Sequence, residues 1–255
     1  MKHEPRRIRL DLAYDGTDFA GWQMQRNQRT VQGELERVLS DIQGGGRVTV
    51  RGAGRTDSGV HARRQVADCL IATRLEDDRL ERALSRMLPP DVRPVSLATC
   101  AEAFHSQKHA LSKSYRYRID RSRHGDPFLA RYALHYPHPL EEALIEPALA
   151  ELPGRRDWSG FAASACDKID RVRTLTEARL VQAGGDRWEL YFAADGFLQH
   201  MVRNIVGTLL EIGGRRLPLG VMGEVLESGD RNRAGPTAAA RGLCLMGVRY
   251  SEDER

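Results

Sequence analysis

Gly52, Gly54 and Gly59 interrupt two extended runs, Val48-Thr49-Val50 before them and the chain that resumes at Gln65 after them. No other stretch constrains the fold as strongly. β-branched residues on either side of a glycine-rich break read as two neighbouring strands joined by a tight loop. Glycine reaches backbone angles closed to other residues, so such a loop can turn sharply and let a ligand approach its backbone. Arg55 and Asp57 ride on it. The spacing is not a dinucleotide fingerprint, because the third glycine comes too late, and it is not a phosphate loop, because no Gly-Lys-Ser/Thr follows. Neither NAD nor ATP is therefore expected. Residue chemistry leaves two readings of Asp57 open: a carboxylate that caps its own turn, or one presented at a rim for chemistry.

The strands around this loop belong to a longer pattern. Ile8, Leu10, Leu12 and Tyr14 alternate with polar neighbours, the period of a half-buried strand. After a polar connection from Phe19 to Arg29, residues Val31, Leu35, Val38, Leu39 and Ile42 fall at helical spacing behind Thr30 as cap, and Gly44-Gly45-Gly46 stops the helix. Beyond the loop and its second strand, Asp78 and Glu81 resemble a capping box for a helix carrying Leu80, Leu84 and Leu88, which Pro89-Pro90 ends. Val92 to Thr99 completes a β-α-β-β-α-β order, the ferredoxin-like split unit.

The second half repeats that order without a visible sequence repeat. Tyr115, Tyr117 and Ile119 alternate along a strand; a helix begins near Leu140, where Pro147 is expected to kink or divide it. Leu175 to Gln182 and Trp188 to Phe192 form a hairpin turning at Gly184-Gly185, Phe197 to Ile212 a helix, Val221 to Leu226 a short one, and Leu243 to Tyr250 the last strand. The fold class expected is α+β, two tandem ferredoxin-like units whose antiparallel sheets join around a central cleft. The expected domains are residues 1–105, carrying the aspartate loop, and 106–255, completing the cleft.

Composition narrows the function. With 255 residues and 41% hydrophobic content the chain can bury a proper core, while no apolar run approaches a membrane span and the N-terminal stretch is charged. A cytoplasmic protein is expected. Cys69, Cys100, Cys166 and Cys244 are widely spaced, which suggests reduced thiols rather than a zinc site or disulfides. His135 and His138 stand near Glu141 and Glu142, but intervening prolines argue against a metal site. The net charge is +4, and the basic residues are nearly all arginine, suited to phosphate forks and to stacking on bases.

Three features then bear on chemistry. A guanidinium such as Arg55 near Asp57 favours the ionised carboxylate that a nucleophile or general base needs, and an ordinary ion pair has the same composition. The run Lys113-Ser114-Tyr115-Arg116-Tyr117-Arg118 interleaves aromatics with cations, fitting either a nucleic-acid surface or a strand with core tyrosines. On the helix from Phe197, the pattern leaves His200, Arg203 and Asn204 off the apolar face, with Arg203 at its edge, where arginines commonly reach for water.

Taken together the chain resembles the tRNA pseudouridine synthase A family. The resemblance runs through Tyr14-Asp15-Gly16, Phe19 with Gly21-Trp22-Gln23 and Gln25, Val31 to Glu36, and above all Gly52-Ala53-Gly54-Arg55-Thr56-Asp57-Ser58-Gly59-Val60-His61-Ala62. It continues through Tyr115-Arg116-Tyr117, Phe128 to Tyr132, Gly196 to Gly207, and Gly235-Pro236-Thr237-Ala238 to Leu243. It implies a cofactor-free, metal-free isomerase that turns uridine into pseudouridine in the anticodon stem-loop of tRNA, at tRNA positions 38–40, and that acts as a homodimer away from membranes. By residue matching it makes Asp57 the nucleophile and Tyr115 the ring that packs on the target base. Arg55 and Arg203 would hold Asp57 and keep the nucleotide flipped out, while Gly54, Thr56, Gly59 and His61 would line the substrate. Ser58, Gln107-Lys108 and Ala239 depart from the family pattern, and Gln107 stands where an RNA-backbone contact would be. A non-catalytic RNA-binding or chaperone module is the alternative; glycosidic hydrolysis is a third, although it normally calls for two carboxylates.

Overall fold

The computed structural model describes residues 3–251 and is an α+β protein with five α-helices among those residues. Its chain divides into two compact units, Met1–Leu111 with Leu245–Arg255, and Ser112–Cys244. Among the described residues no helix is long and apolar enough to cross a membrane.

In the first unit the elements are β1 (Arg6–Tyr14), α1 (Val31–Gln43), β2 (Val50–Gly52), β3 (His61–Ile71), α2 (Asp77–Met87) and β4 (Val92–Thr99). β1 lies between β4 and β3, antiparallel to both, and β2 pairs with β3. Alternation places Ile8, Leu10 and Leu12 on the core face, all without measurable exposure, together with Leu35, Leu39, Leu80 and Leu84 from the helices. Register sets Leu12 opposite Gln65 and Tyr14 opposite Ala62, so the start of β3 is carried directly over the end of β1. Thr30 caps α1 through its hydroxyl, which accepts from the Gly33 amide at 3.2 Å, and Gly44 ends the helix with a left-handed φ of 82°. The capping box at Asp78 does not form. α2 starts two residues earlier, behind Glu76 with no side-chain cap, and Asp77 instead accepts from the amide and hydroxyl of Thr99 at 2.7 and 2.8 Å.

The second unit contains β5 (Ser112–Asp120), β6 (Leu134–His135), α3 (Glu142–Ala150), β7 (Gly154–Asp157), β8 (Val172–Gln182), β9 (Arg187–Ala194), α4 (Met201–Gly213) and α5 (Val221–Ser228). Its strands run β5-β9-β8-β7, antiparallel, with β6 alongside β5. The short strands β6 and β7 lack any apolar alternation and are additions to the expected order. Pro147 does not divide α3, which runs unbroken from Glu142 to Ala150 with the proline inside it; Ile145 and Leu149 are buried, and Gly213 of α4 leaves room for Ile145, whose Cδ1 would lie 2.7 Å from an added Cβ. Tertiary packing here overrides a local penalty. α4 starts four residues later than its apolar spacing suggests, because His200 takes a left-handed φ of 61° and sets Phe197 outside the helix.

Candidate active site

The loop from Gly52 to Ala62 is held from behind by the chain between Tyr14 and Trp22, all within the first unit. The Trp22 amide donates to the Thr56 carbonyl at 3.0 Å, and the Ala53 amide to the Val66 carbonyl at 2.7 Å. Below the loop the Tyr14 hydroxyl meets the Thr56 hydroxyl at 2.9 Å, while the Gln65 amide donates to the Gly54 carbonyl at 2.9 Å. Gln65 is fully buried, and its side-chain nitrogen ties the loop to the strand beneath it. The turn itself closes through the Val60 amide donating to the Asp57 carbonyl at 3.1 Å, with Gly59 at a φ of 77°. Ser58 and Gly59 both donate to the Phe19 carbonyl, at 3.1 and 3.3 Å.

Two glycines fix how closely these segments approach. A Cβ on Gly16 would stand 2.0 Å from the Val60 carbonyl oxygen, and one on Gly21, which has a φ of +102°, 2.7 Å from the Thr56 carbonyl oxygen. The aromatic rings of Phe19 and Trp22, both 2% exposed, complete the support. The first residues of the segment that reads as a polar connection, Phe19 to Trp22, are therefore part of the buttress of the loop, and the signal in the sequence is the pairing of glycines with aromatics. On this platform Asp57 is half-buried and Arg55 exposed. Thr56 and His61 are buried; the Gly16 amide donates to His61 Nδ1 at 3.0 Å, so that nitrogen is an acceptor. Asp15 Oδ1 lies 3.1 Å from the same nitrogen, a contact that becomes an ion pair only if the ring is protonated and the Gly16 bond is given up.

In the second unit Tyr115 is 7% exposed and Tyr117 fully buried, on one face of β5. The Phe197 ring meets Tyr115 edge-on, with centroids 5.1 Å apart and planes at 84°, which props the tyrosine in one orientation. Tyr117 donates to the Ala239 carbonyl at 2.8 Å, and burial pushes its hydroxyl well above the ordinary tyrosine value despite the nearby charges of Arg203 and Arg241. On the opposite face of β5 Arg116 and Arg118 converge on Glu189, at 3.6 and 2.7 Å. Burial pushes that carboxyl up, but the hydrogen bonds of Tyr191 and Arg118 and the arginine charges outweigh it and hold it below the ordinary glutamate value.

Arg203 is not an edge residue reaching for water. Its Nε donates to the Ala238 carbonyl at 2.8 Å, and the Ala238 amide donates to the Arg203 carbonyl at 3.1 Å, a two-way tie that fixes its direction. Asn204, which the periodicity puts on the polar side, is 1% exposed. Its amide group donates to the Phe161 carbonyl and accepts from Arg231 and Thr237. Gly207 lets the Gly235–Ala238 segment lie against α4, since a Cβ there would come within 1.6 Å of the Pro236 carbonyl oxygen. A cavity of about 420 Å³ in this unit is lined by residues including Asp120, His124, His135 and Arg241, but by none of the residues that the family resemblance assigns to the reaction.

What emerges is an α+β protein that presents one aspartate and one arginine on a rigid glycine loop, and an aromatic strand with a tethered arginine in its other unit. The family model described as tRNA pseudouridine synthase matches residues 12–107 and 148–251, spans that hold Arg55, Asp57 and Arg203 but not Tyr115. The chain belongs to that family. It is 41% identical over 247 residues to a tRNA pseudouridine synthase A of Streptococcus gordonii, covering 96% of this chain and 99% of the relative. It is 42% identical over 248 residues to one of Streptococcus sanguinis, with the same coverage. Among solved structures, the crystal structure of a Cbf5-Nop10-Gar1 complex aligns over 96% of this chain and 60% of that one, at 11% identity and a TM-score of 0.39, too remote to inform fold or site.

Proposed function

We propose that this protein isomerises uridine to pseudouridine in the anticodon stem-loop of tRNA, with Asp57 as covalent catalyst. The observation that carries the reading is a family match whose span includes the Gly52–Ala62 loop, together with the bracing of that loop on both its carbonyl and its hydroxyl side. The reaction breaks the C1′–N1 bond, turns the uracil, joins C5 to C1′, and returns the C5 hydrogen to solvent as a proton. One ionised carboxylate suffices, whether it adds to C1′ of the sugar or to C6 of the base, because in either case the bond it forms is released when the new C–C bond is complete. Arg55 and Arg203 hold Asp57 and keep the target nucleotide out of its stack. Tyr115 packs on the base and excludes water while the glycosidic bond is open. Gly54, Thr56, Gly59 and His61 shape the loop that meets the substrate.

We read the two units as ferredoxin-like, a reading supported in the first by the β4-β1-β3 order with β2 on the far side of β3. The working form is a cytoplasmic homodimer, by family likeness, and light scattering that returned a monomer at micromolar concentration would count against it. Mapping pseudouridine in tRNA transcripts treated with the purified protein tests the function directly. Modification confined to the anticodon arm is expected; bound but unmodified tRNA would favour the RNA-binding alternative.

A further inference from the structure

Lys113 begins the same face of β5 as Tyr115 and Tyr117, two residues from the first of them. Register sets Lys113 opposite Ala194 of β9 and Leu175 of β8 opposite the same residue, so Arg173, two residues before Leu175, shares that face. Arg173 is seated on Gly196: a Cβ there would stand 3.1 Å from the guanidinium Nε. A third cation comes from the loop before β8. Arg171 donates to the carbonyls of Cys166 and Lys168 at 3.3 and 3.2 Å, winding the loop around its own guanidinium, and buried Trp158 anchors it through the carbonyls of Arg171 and Arg173. The charges acting on Lys113 are those of Arg173 and Lys168. Burial pushes its ammonium down to about 8, and the two cations push the same way.

Among the described residues no hydrogen bond or ion pair reaches the Lys113 ammonium. Arg173 has only a loose carboxylate neighbour, Asp170 at 3.9 Å, whose side chain is 81% exposed. Like charges gathered around a half-buried ammonium that has no counter-ion are unfavourable unless an anion enters among them. We propose that Lys113, Arg173 and Lys168 form an anion subsite that binds a phosphodiester of the RNA backbone, next to the nucleotide received by Tyr115. The inference rests on the reading of the protein as a tRNA-modifying enzyme. Two residues of strand separate Lys113 from Tyr115 by about 7 Å, the scale of one nucleotide, which favours a backbone phosphate over a free anion.

The test measures the affinity of the full-length protein for an anticodon-arm RNA by fluorescence anisotropy across a salt series, with Lys113→Met and the exposed Lys168→Ala. Each variant is expected to bind about threefold to tenfold more weakly, with the slope of log K against log salt shallower by about 0.7. Replacing single phosphates near the target uridine with neutral methylphosphonates should reveal one linkage whose neutralisation weakens wild type about tenfold and Lys113→Met hardly at all. Unchanged affinity and slope in both variants, or equal methylphosphonate losses in wild type and Lys113→Met, would overturn the proposal. Inorganic phosphate that stabilises wild type without competing with the RNA would overturn it too, as the mark of a free-anion site. Lys168 is a surface residue, so its variant reports even if Lys113→Met folds poorly. Pseudouridine formation by wild type on the same RNA is scored in parallel. Its absence, with the Lys113 coupling present, would reject the catalytic reading and leave the subsite standing.

Discussion

Adding one methyl group at Gly16 tests whether the buttress sets the geometry of the aspartate loop. A Cβ at this position would lie 2.0 Å from the Val60 carbonyl oxygen, and real Cβ atoms essentially never approach closer than 3.0 Å, so the contact must open by about 1 Å. The Val60 oxygen is backbone and the new Cβ is fixed to the backbone of residue 16, so no flexible side chain can absorb the change. The Val60 amide is bonded to the Asp57 carbonyl at 3.1 Å, so displacing Val60 moves the turn that carries the carboxylate. A misplacement of ~1 Å in a reacting group costs on the order of 10²-fold in rate. Overpacking of this kind costs about 1–3 kcal/mol of stability, and in a chain of this length each kcal/mol lowers Tm by roughly 2–4 °C. Gly16→Ala is therefore expected to fold, to melt several degrees early and to bind tRNA normally, yet to release tritium from C5-labelled uridine in tRNA about 10²-fold more slowly. Gly220→Ala makes the same chemical change with nothing within 4 Å of the new atom and should behave as wild type. A folded Gly16→Ala protein with wild-type kcat would refute the argument that the Tyr14–Trp22 segment positions Asp57.

Two further expectations follow from the geometry. Phe197→Ala removes the edge-on prop of Tyr115, an interaction of about 0.5–1.5 kcal/mol, and should lower kcat/KM for tRNA by roughly threefold to tenfold, whereas Gly220→Ala should not; unchanged kinetics would mean the tyrosine is oriented by other contacts. Asp68, fully buried, accepts from Arg7, Arg51 and the Ser106 amide. Burial pushes its carboxyl up, but the bonds from Arg51 and Ser106 outweigh it and hold the group below the ordinary aspartate value. Because the folded value is the lower one, the stabilisation is complete above the unfolded value of about 3.9 and is lost as pH falls through the folded one. Thermal melts should show wild type losing stability steeply below about pH 4 and Asp68→Asn losing less, from a lower Tm at neutral pH. Parallel pH profiles would contradict this.

Much of this architecture is legible in the residues because it is local. The alternation of β1, the Thr30 and Gly44 caps of α1 and the glycine turn of the β8–β9 hairpin each carry their own signal within a few positions. What is not legible depends on partners far along the chain. Asn204 looks like a surface residue, since nothing nearby announces Phe161, Arg231 and Thr237 as its hydrogen-bond partners. The apolar spacing of α4 extends back to Phe197 because that ring is indeed wanted against other apolar groups, but against Tyr115 and not as part of the helix. Phe19 and Trp22 sit among polar residues and so pass for a connection, although both are buried. In the candidate site the Gly52–Ala62 loop and the Tyr115 strand stand out in the sequence, whereas the Tyr14–Gln65–Thr56 support beneath the loop does not. A glutamine opposite Leu12 gains its meaning only once β1 and β3 are paired.

The central claim is that Asp57 carries the chemistry, and it is tested most directly by tritium release from tRNA labelled at C5 of uridine, comparing wild type with Asp57→Asn and Asp57→Ala. Both variants are expected to bind tRNA and to release no tritium, because neither retains a carboxylate able to attack sugar or base. Substantial release by either variant would contradict the account.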